Sequence, residues 1–171
     1  HNRLSKLSFK MKDYPLAYKN VLKSINLNQA NNTRELGVSF NSLGNISLIK
    51  NDLDSALFYF NKTIENFQIC GDVIGQSIAS INLGDAYHKL FNKEDAVALL
   101  DSSYNYYEKS YILNSKVDNS FGMIYGFWGM ADVNIKTENP TAALHNYQKA
   151  LTVSKNIGAK STTHIGDVNS S

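Results

Sequence analysis

The sequence predicts an all-α fold, built as a row of antiparallel helical hairpins, and three observations lead to this prediction. An alanine recurs at intervals of 39, 40 and 47 residues, at Ala17, Ala56, Ala96 and Ala143. An Asp or Asn, the residue types that cap helix N-termini, stands four residues before each alanine. A leucine or methionine followed by a small residue stands thirteen residues before each. One hairpin per interval accounts for this repetition.

The second helix of each predicted hairpin carries the recurring alanine. Its expected caps are Asp13, Asp52, Asn92 and Asn139. Both prolines, Pro15 and Pro140, fall near a predicted helix start, where the missing N–H costs nothing. Four residues beyond each alanine the side chain is large, at Val21, Phe60, Leu100 and Tyr147, and seven beyond it is small, at Ser24, Thr63, Ser103 and Ala150. This spacing defines one packing face per helix.

The first helix of each hairpin carries the residue pair Leu4-Ser5, Leu43-Gly44, Leu83-Gly84 or Met130-Ala131. A glycine within a helix costs about 1 kcal/mol relative to alanine, so its recurrence at one register indicates that two backbones approach closely there. We therefore expect Ala56 and Ala96 to be buried where the two helices of a hairpin cross.

The repeated residues resemble the signature of the tetratricopeptide repeat family. Leu43-Gly44 with Ala56 and Phe60 match it in one unit, and Leu83-Gly84 with Tyr87 and Ala96 match it in the next. The period is similar to the longer variety found in bacterial peptide-responsive regulators. The resemblance implies a right-handed α-α superhelix, the tetratricopeptide solenoid.

The alignment predicts one solenoid fragment over residues 1–171. It consists of a partial repeat at 1–30, repeats at 31–70, 71–117 and 118–158, and a partial repeat at 159–171. Second helices are expected near 14–27, 53–70, 93–113 and 140–157, and first helices near 33–50, 73–90 and 120–136. The longest interval indicates extended helices, with Tyr104, Tyr106, Tyr107 and Tyr111 forming a wide packing surface.

Composition excludes several classes of protein. Lys plus Arg number 17 and Asp plus Glu 15, spread along the chain, which gives no electrostatic footprint for direct nucleic-acid contact. The longest apolar stretch, 121–131, is too short to span a membrane. The single cysteine, Cys70, cannot form an internal disulfide. We expect a soluble segment, a cytoplasmic or periplasmic part of a longer protein.

Enzymatic activity is not expected. No His or Cys recurs at the spacing that a metal site needs, so neither a metal nor a cofactor is predicted. Asp85 and His88 share a helix face, but no nucleophile motif accompanies them.

A protein or peptide ligand is the partner that the resemblance implies, because the first helices of this family line a concave groove. The family's ligand-facing positions here include Asn41, Asn45, Asp85, His88, Tyr125, Trp128 and Asp132, and Asn82 resembles an asparagine that related repeats use. Amide side chains can pair with an extended peptide backbone of almost any sequence. We expect an apolar or basic ligand side chain near Trp128 and Asp132. The alternative is that these residues only solvate the groove or contact neighbouring helices.

The leading hypothesis for function is an interaction or sensor module of a bacterial signalling or transcription-regulating protein. The alternative is a passive scaffold that joins partners in a multiprotein complex. Because each unit of a solenoid leaves an apolar face open, self-association through the ends is also predicted.

Overall fold

The computed structural model of the protein describes residues 13–28, 32–94 and 96–168, and side-chain surroundings are described for 13–26, 32–94 and 96–157. Within these ranges the chain forms α-helices joined by turns and contains no strand, so the predicted all-α class is confirmed. The helices are α1 Tyr14–Asn28, α2 Thr33–Ile49, α3 Leu53–Ile69, α4 Val73–Glu94, α5 Ala98–Ser115, α6 Ser120–Lys136 and α7 Pro140–Val168. The helix predicted around Leu4 lies outside the described residues.

Four of the turns between helices share one backbone conformation. A residue with positive φ closes each of them: Asn51 at 59°, Gly71 at 68°, Asp118 at 51° and Glu138 at 55°. The N–H of the next residue then donates back into the preceding helix, as from Asp52 to the Ser47 carbonyl oxygen at 2.9 Å. This is the hydrogen bond of a Schellman helix end, and it satisfies a carbonyl that the helix leaves unpaired.

The residue after each of these turns caps the next helix. The Asp52 carboxylate accepts from the Ser55 N–H at 3.2 Å, and the Asn139 side chain accepts from the Ala142 N–H at 3.1 Å. Asp13 caps α1 in the same way. Three of the four predicted caps are therefore confirmed, and each of these three helix starts follows from a local Asx signal.

The helices form two layers. Each packs against its neighbours in sequence, and α2, α4 and α6, the first helices, also contact one another side by side. The second helices, α1, α3, α5 and α7, pack against this row. A Cβ at Gly44 would overlap the Phe60 ring, which confirms the predicted close approach of α2 and α3. Ala56 is fully buried, as predicted, in a cluster that includes Ala79 and Leu83 of α4.

The prediction for Ala96 and its cap Asn92 is wrong. Asn92 lies inside α4, Ala96 is exposed ahead of α5, and α5 begins at Ala98 without a side-chain cap. The first helix therefore ends at Glu94 rather than near residue 90. Leu90 is buried and Phe91 packs against a core cluster, and these apolar contacts stabilise the continuation of α4 beyond Asn92.

The longer α4 shifts α5 along it. Gly84 lies against Tyr107, eleven residues beyond Ala96, whereas Gly44 lies against Phe60, four residues beyond Ala56. The Ser103 hydroxyl donates to the Gly84 carbonyl oxygen at 2.9 Å. The predicted tyrosine surface is real: Tyr107 is buried, and Tyr104, Tyr106 and Tyr111 are partly buried against the core clusters.

The last helix, α7, ends at Val168 rather than near residue 157. Its backbone is continuous across Gly158, so residues 159–168 extend α7 and do not begin a separate helix. Among the described helices, none is long and apolar enough to cross a membrane.

Candidate binding surface on the first helices

The residues predicted to face a ligand all lie on the three first helices: Asn41 and Asn45 on α2, Asn82, Asp85 and His88 on α4, and Tyr125, Trp128 and Asp132 on α6. Residues one turn apart line one face of each helix. Because α2, α4 and α6 lie side by side, residues at equivalent positions on the three helices form rows that run across the layer. We refer to these eight residues as the first-helix surface.

The amide residues meet between α2 and α4. The Asn82 side-chain N–H donates to the Asn41 side-chain oxygen at 2.8 Å, and both residues are half-buried. Asn45 lies one turn beyond Asn41 and is also half-buried. The amide pair uses one donor of Asn82 and one lone pair of Asn41, so each side chain keeps further hydrogen-bonding capacity for a ligand.

Two acidic residues of the surface lie on adjacent helices, Asp85 on α4 and Asp132 on α6. Burial raises the pKa of the Asp85 carboxyl, and the nearby Asp132 charge adds to this, while a hydrogen bond from Tyr107 and the charges of His88 and Lys89 act in the opposite direction. The Tyr107 hydroxyl donates to an Asp85 carboxylate oxygen at 2.6 Å. A tyrosine of the second-helix layer therefore orients Asp85.

His88 lies in the same group. Partial burial lowers its pKa, the positive charge of Lys136 lowers it further, and Asp132 and Asp85 oppose both effects. The lowered pKa favours the neutral form of this imidazole, which can both donate and accept a hydrogen bond.

The aromatic residues of the surface, Tyr125 and Trp128, lie on the side of α6 that faces α7. Tyr125 and Trp128 make an edge-to-face contact with ring centroids 5.6 Å apart, and they remain 55% and 47% exposed. Both line a cleft of about 400 Å³ between α6 and α7. Tyr147 of α7 lines the same cleft, and its hydroxyl donates to an Asp132 carboxylate oxygen at 2.7 Å.

The structure joins one predicted pair directly, Asn41 and Asn82, and places Asp85 and His88 on α4 beside the helix that carries Asp132. The sequence missed the two tyrosines that orient these carboxylates. Tyr107 could not be assigned because α5 is shifted relative to the expected register, and Tyr147 was expected only as a large packing residue. No described group of three or more His, Cys, Asp or Glu side chains is placed to hold a metal ion.

Comparison with models of known protein families finds none that matches this chain, and comparison with curated proteins finds no match. The arrangement of side chains is therefore the basis for assigning a function.

Proposed function

We propose that the chain is a stack of tetratricopeptide-type hairpins in a right-handed superhelix, and that its first-helix surface binds an extended peptide segment carrying a basic side chain. The observation that carries this proposal is the presence of two carboxylates on adjacent first helices, Asp85 on α4 and Asp132 on α6, each hydrogen-bonded by a tyrosine from the layer behind. They lie on the same row of helices as the Asn41–Asn82 amide pair.

The backbone of the ligand would bind at the amide pair. An extended peptide presents alternating N–H and C=O groups, and an asparagine side chain offers a donor and an acceptor at once. The direct bond between Asn82 and Asn41 holds both amides in fixed orientations, which reduces the side-chain entropy that binding would otherwise cost.

The basic side chain of the ligand would bind between Asp85 and Asp132. A lysine or arginine there would be attracted by both carboxylates and would favour the charged form of Asp85, whose pKa burial raises. The apolar part of the side chain would rest against Trp128, which is exposed one turn before Asp132. A role in a bacterial signalling or transcription-regulating protein rests on the resemblance in repeat period alone.

The test starts from a random-peptide library displayed on phage and selected against the folded chain. Selected peptides are synthesised and titrated calorimetrically against the parent, Asp132→Asn and Asn82→Ala. We expect enrichment of Lys or Arg and a loss in affinity of about tenfold for each variant, which corresponds to about 1.4 kcal/mol. In a double-mutant cycle, replacing the peptide's basic residue by Met should remove most of the effect of Asp132→Asn.

Phe58→Ala is the matched control, because Phe58 is an exposed aromatic residue on α3, in the second-helix layer. If Phe58→Ala weakens binding as much as the two surface variants do, or if those variants bind like the parent, the first-helix surface is not the binding site.

A further inference from the structure

A pocket lies between α2 and α4, beside the Asn41–Asn82 amide pair. It has a volume of about 310 Å³. Its walls include Arg34, Val38 and Asn41 of α2, Ile74 and Ile78 of α4, and Asp72 just before α4. Because Asn41 belongs both to this pocket and to the amide pair, the pocket continues the first-helix surface toward the start of α4. We call it the α2–α4 pocket.

The pocket is apolar at its floor and along its α4 side. The floor is the ring of Phe67 from α3, which lies against two glycines: a Cβ would be 2.9 Å from this ring at Gly37 and 2.6 Å from it at Gly75. Ile74 and Ile78 stand beside the floor and are 48% and 46% exposed. Apolar surface in such a concave site gains free energy when an apolar group covers it.

The charged residues of the pocket are already paired with each other. The Arg34 Nε donates to one carboxylate oxygen of Asp72 at 2.9 Å, and the other Asp72 oxygen accepts from the Gly75 N–H at 2.8 Å. Arg34 thus neutralises Asp72, which also caps the first turn of α4. A charged ligand side chain would lose water here without gaining a free counter-ion, so an uncharged apolar side chain fits the pocket better.

The pocket opens on the first-helix surface rather than at an end of the stack. On α4, Ile74, Ile78 and Asp85 stand at positions i, i+4 and i+11, so they share one helix face, and Asn82 at i+8 lies on it too. A further hairpin packed against either end of the stack would therefore leave the pocket open. A ligand that lies along the first-helix surface would cover it.

The distance between the pocket and Asp85 selects a spacing in the ligand. The midpoint of Ile74 and Ile78 lies nine residues before Asp85, which is about 13.5 Å along the helix axis at a rise of about 1.5 Å per residue. An extended peptide advances about 3.3 Å per residue, so about four residues cover this distance. Side chains of an extended peptide alternate with a period of two, so residues four apart both face the protein.

We propose that the α2–α4 pocket binds a large apolar side chain, Leu, Met or Phe, of the extended peptide whose basic residue binds at Asp85, and that these two ligand residues are four positions apart. The amide pair lies between the two points and binds the backbone that links them. This inference rests on the proposed function, because the spacing is measured from the carboxylate that the basic side chain contacts.

The probe is a phage library of eleven-residue peptides with lysine fixed at the centre and random residues elsewhere, selected against the folded chain. We expect enrichment of Leu, Met or Phe at the position four before or four after the lysine, and less enrichment at every other position. A selected peptide is then synthesised and titrated calorimetrically. Replacing its apolar residue by alanine, or moving that residue by one position, should weaken binding about tenfold, since the pocket is then left empty.

Two protein variants remove apolar surface from the pocket. Ile78→Ser and Ile74→Ser change residues that are about half exposed, so the fold should be retained, and each should weaken the selected peptide about three- to tenfold. In a double-mutant cycle, Ile78→Ser should reduce the effect of the alanine substitution in the peptide to about threefold or less. Ile112→Ser is the matched control, because Ile112 is 44% exposed on α5, in the second-helix layer, and it should leave binding unchanged.

The failure of this inference can be told apart from the failure of the proposed function. Peptides that depend on Asn82 and Asp132, but show no apolar preference four residues from the lysine and bind Ile78→Ser like the parent, would overturn the pocket inference alone. Selection of no peptide whose binding depends on Asp132 would overturn both. Dimers in sedimentation that Ile78→Ser dissociates would identify a second copy of the chain as the occupant and would also overturn the inference.

Discussion

Replacing Ala56 by leucine is the most direct test of how the hairpins pack. Ala56 is fully buried in a cluster with Phe60 and Leu83 on either side of the α3–α4 contact. Leucine adds three carbon atoms where no space is open, and such overpacking costs about 1–3 kcal/mol. For a chain of this size each kcal/mol lowers the melting temperature by about 2–4 °C, so a fall of about 2–12 °C is expected. Thermal unfolding followed by circular dichroism measures it.

The chain supplies a matched control for this substitution. Ala96 occupies the equivalent place in the sequence repeat but is exposed ahead of α5, so Ala96→Leu should change the stability by less than about 0.5 kcal/mol. Equal losses of melting temperature in the two variants would show that α5 has the unshifted register, and no loss in either would show that Ala56 is not at a crossing.

Three further predictions concern single side chains. Asn114, fully buried and donating to Ser77 and to the Ser110 carbonyl, should destabilise the fold by about 1–3 kcal/mol when replaced by alanine, measured by urea unfolding. Gly129→Ala places a Cβ on the Tyr107 ring; a gain in helix propensity of about 1 kcal/mol offsets only part of the overpacking cost of about 1–3 kcal/mol, so the melting temperature should fall, and a rise would contradict the contact. Burial raises the pKa of Asp85, so its contribution to the free energy of unfolding is greatest in acid and declines as pH rises through that pKa. Asp85→Asn should therefore raise stability slightly at pH 7 and lose this advantage as pH falls toward 4, measured by urea unfolding at both pH values. The effect is small because the residue as a whole is exposed to solvent.

The parts of the fold that could be predicted from sequence are those fixed by local chemistry. Asp52 and Asn139 start α3 and α7 because a short side-chain oxygen accepts from an N–H three residues on. Gly44 indicates a close helix crossing because the Phe60 ring of the neighbouring helix occupies the space that a Cβ would need. Both signals depend on a few adjacent residues, so a repeat alignment transfers them from one hairpin to the next.

The register of α5 could not be predicted because it is decided by contacts distant in sequence. Asn92 has the type and spacing of a cap, yet α4 continues through it, since Leu90 and Phe91 gain burial against the core. A helix end is a competition between a local cap worth about 1 kcal/mol and tertiary burial of an apolar side chain worth about 1.5–3 kcal/mol, and here burial wins.

The same shift decides the chemistry of the candidate surface. With α5 moved along α4, Tyr107 comes to lie beside Gly84 and within hydrogen-bonding distance of Asp85. In the unshifted register the residue against Gly84 would be Leu100, which cannot donate to a carboxylate. The shift therefore gives Asp85 a partner from the layer behind it, comparable to the one that Tyr147 gives Asp132.

Buried polar side chains explain how one register is held once α4 and α5 are long enough to slide. Asn114 bonds to Ser77 on α4, to Ser110 on its own helix and to Asn119 at the turn, all in a region where Asn114, Ser77 and Ser110 are closed to solvent. Apolar contacts change little when one helix slides by a turn along another, whereas a buried amide left without its partners costs about 1–3 kcal/mol. This network therefore favours the shifted register of α5 over registers one turn away that would keep similar apolar contacts. The shifted register in turn brings Tyr107 to the carboxylate of Asp85 on the first-helix surface.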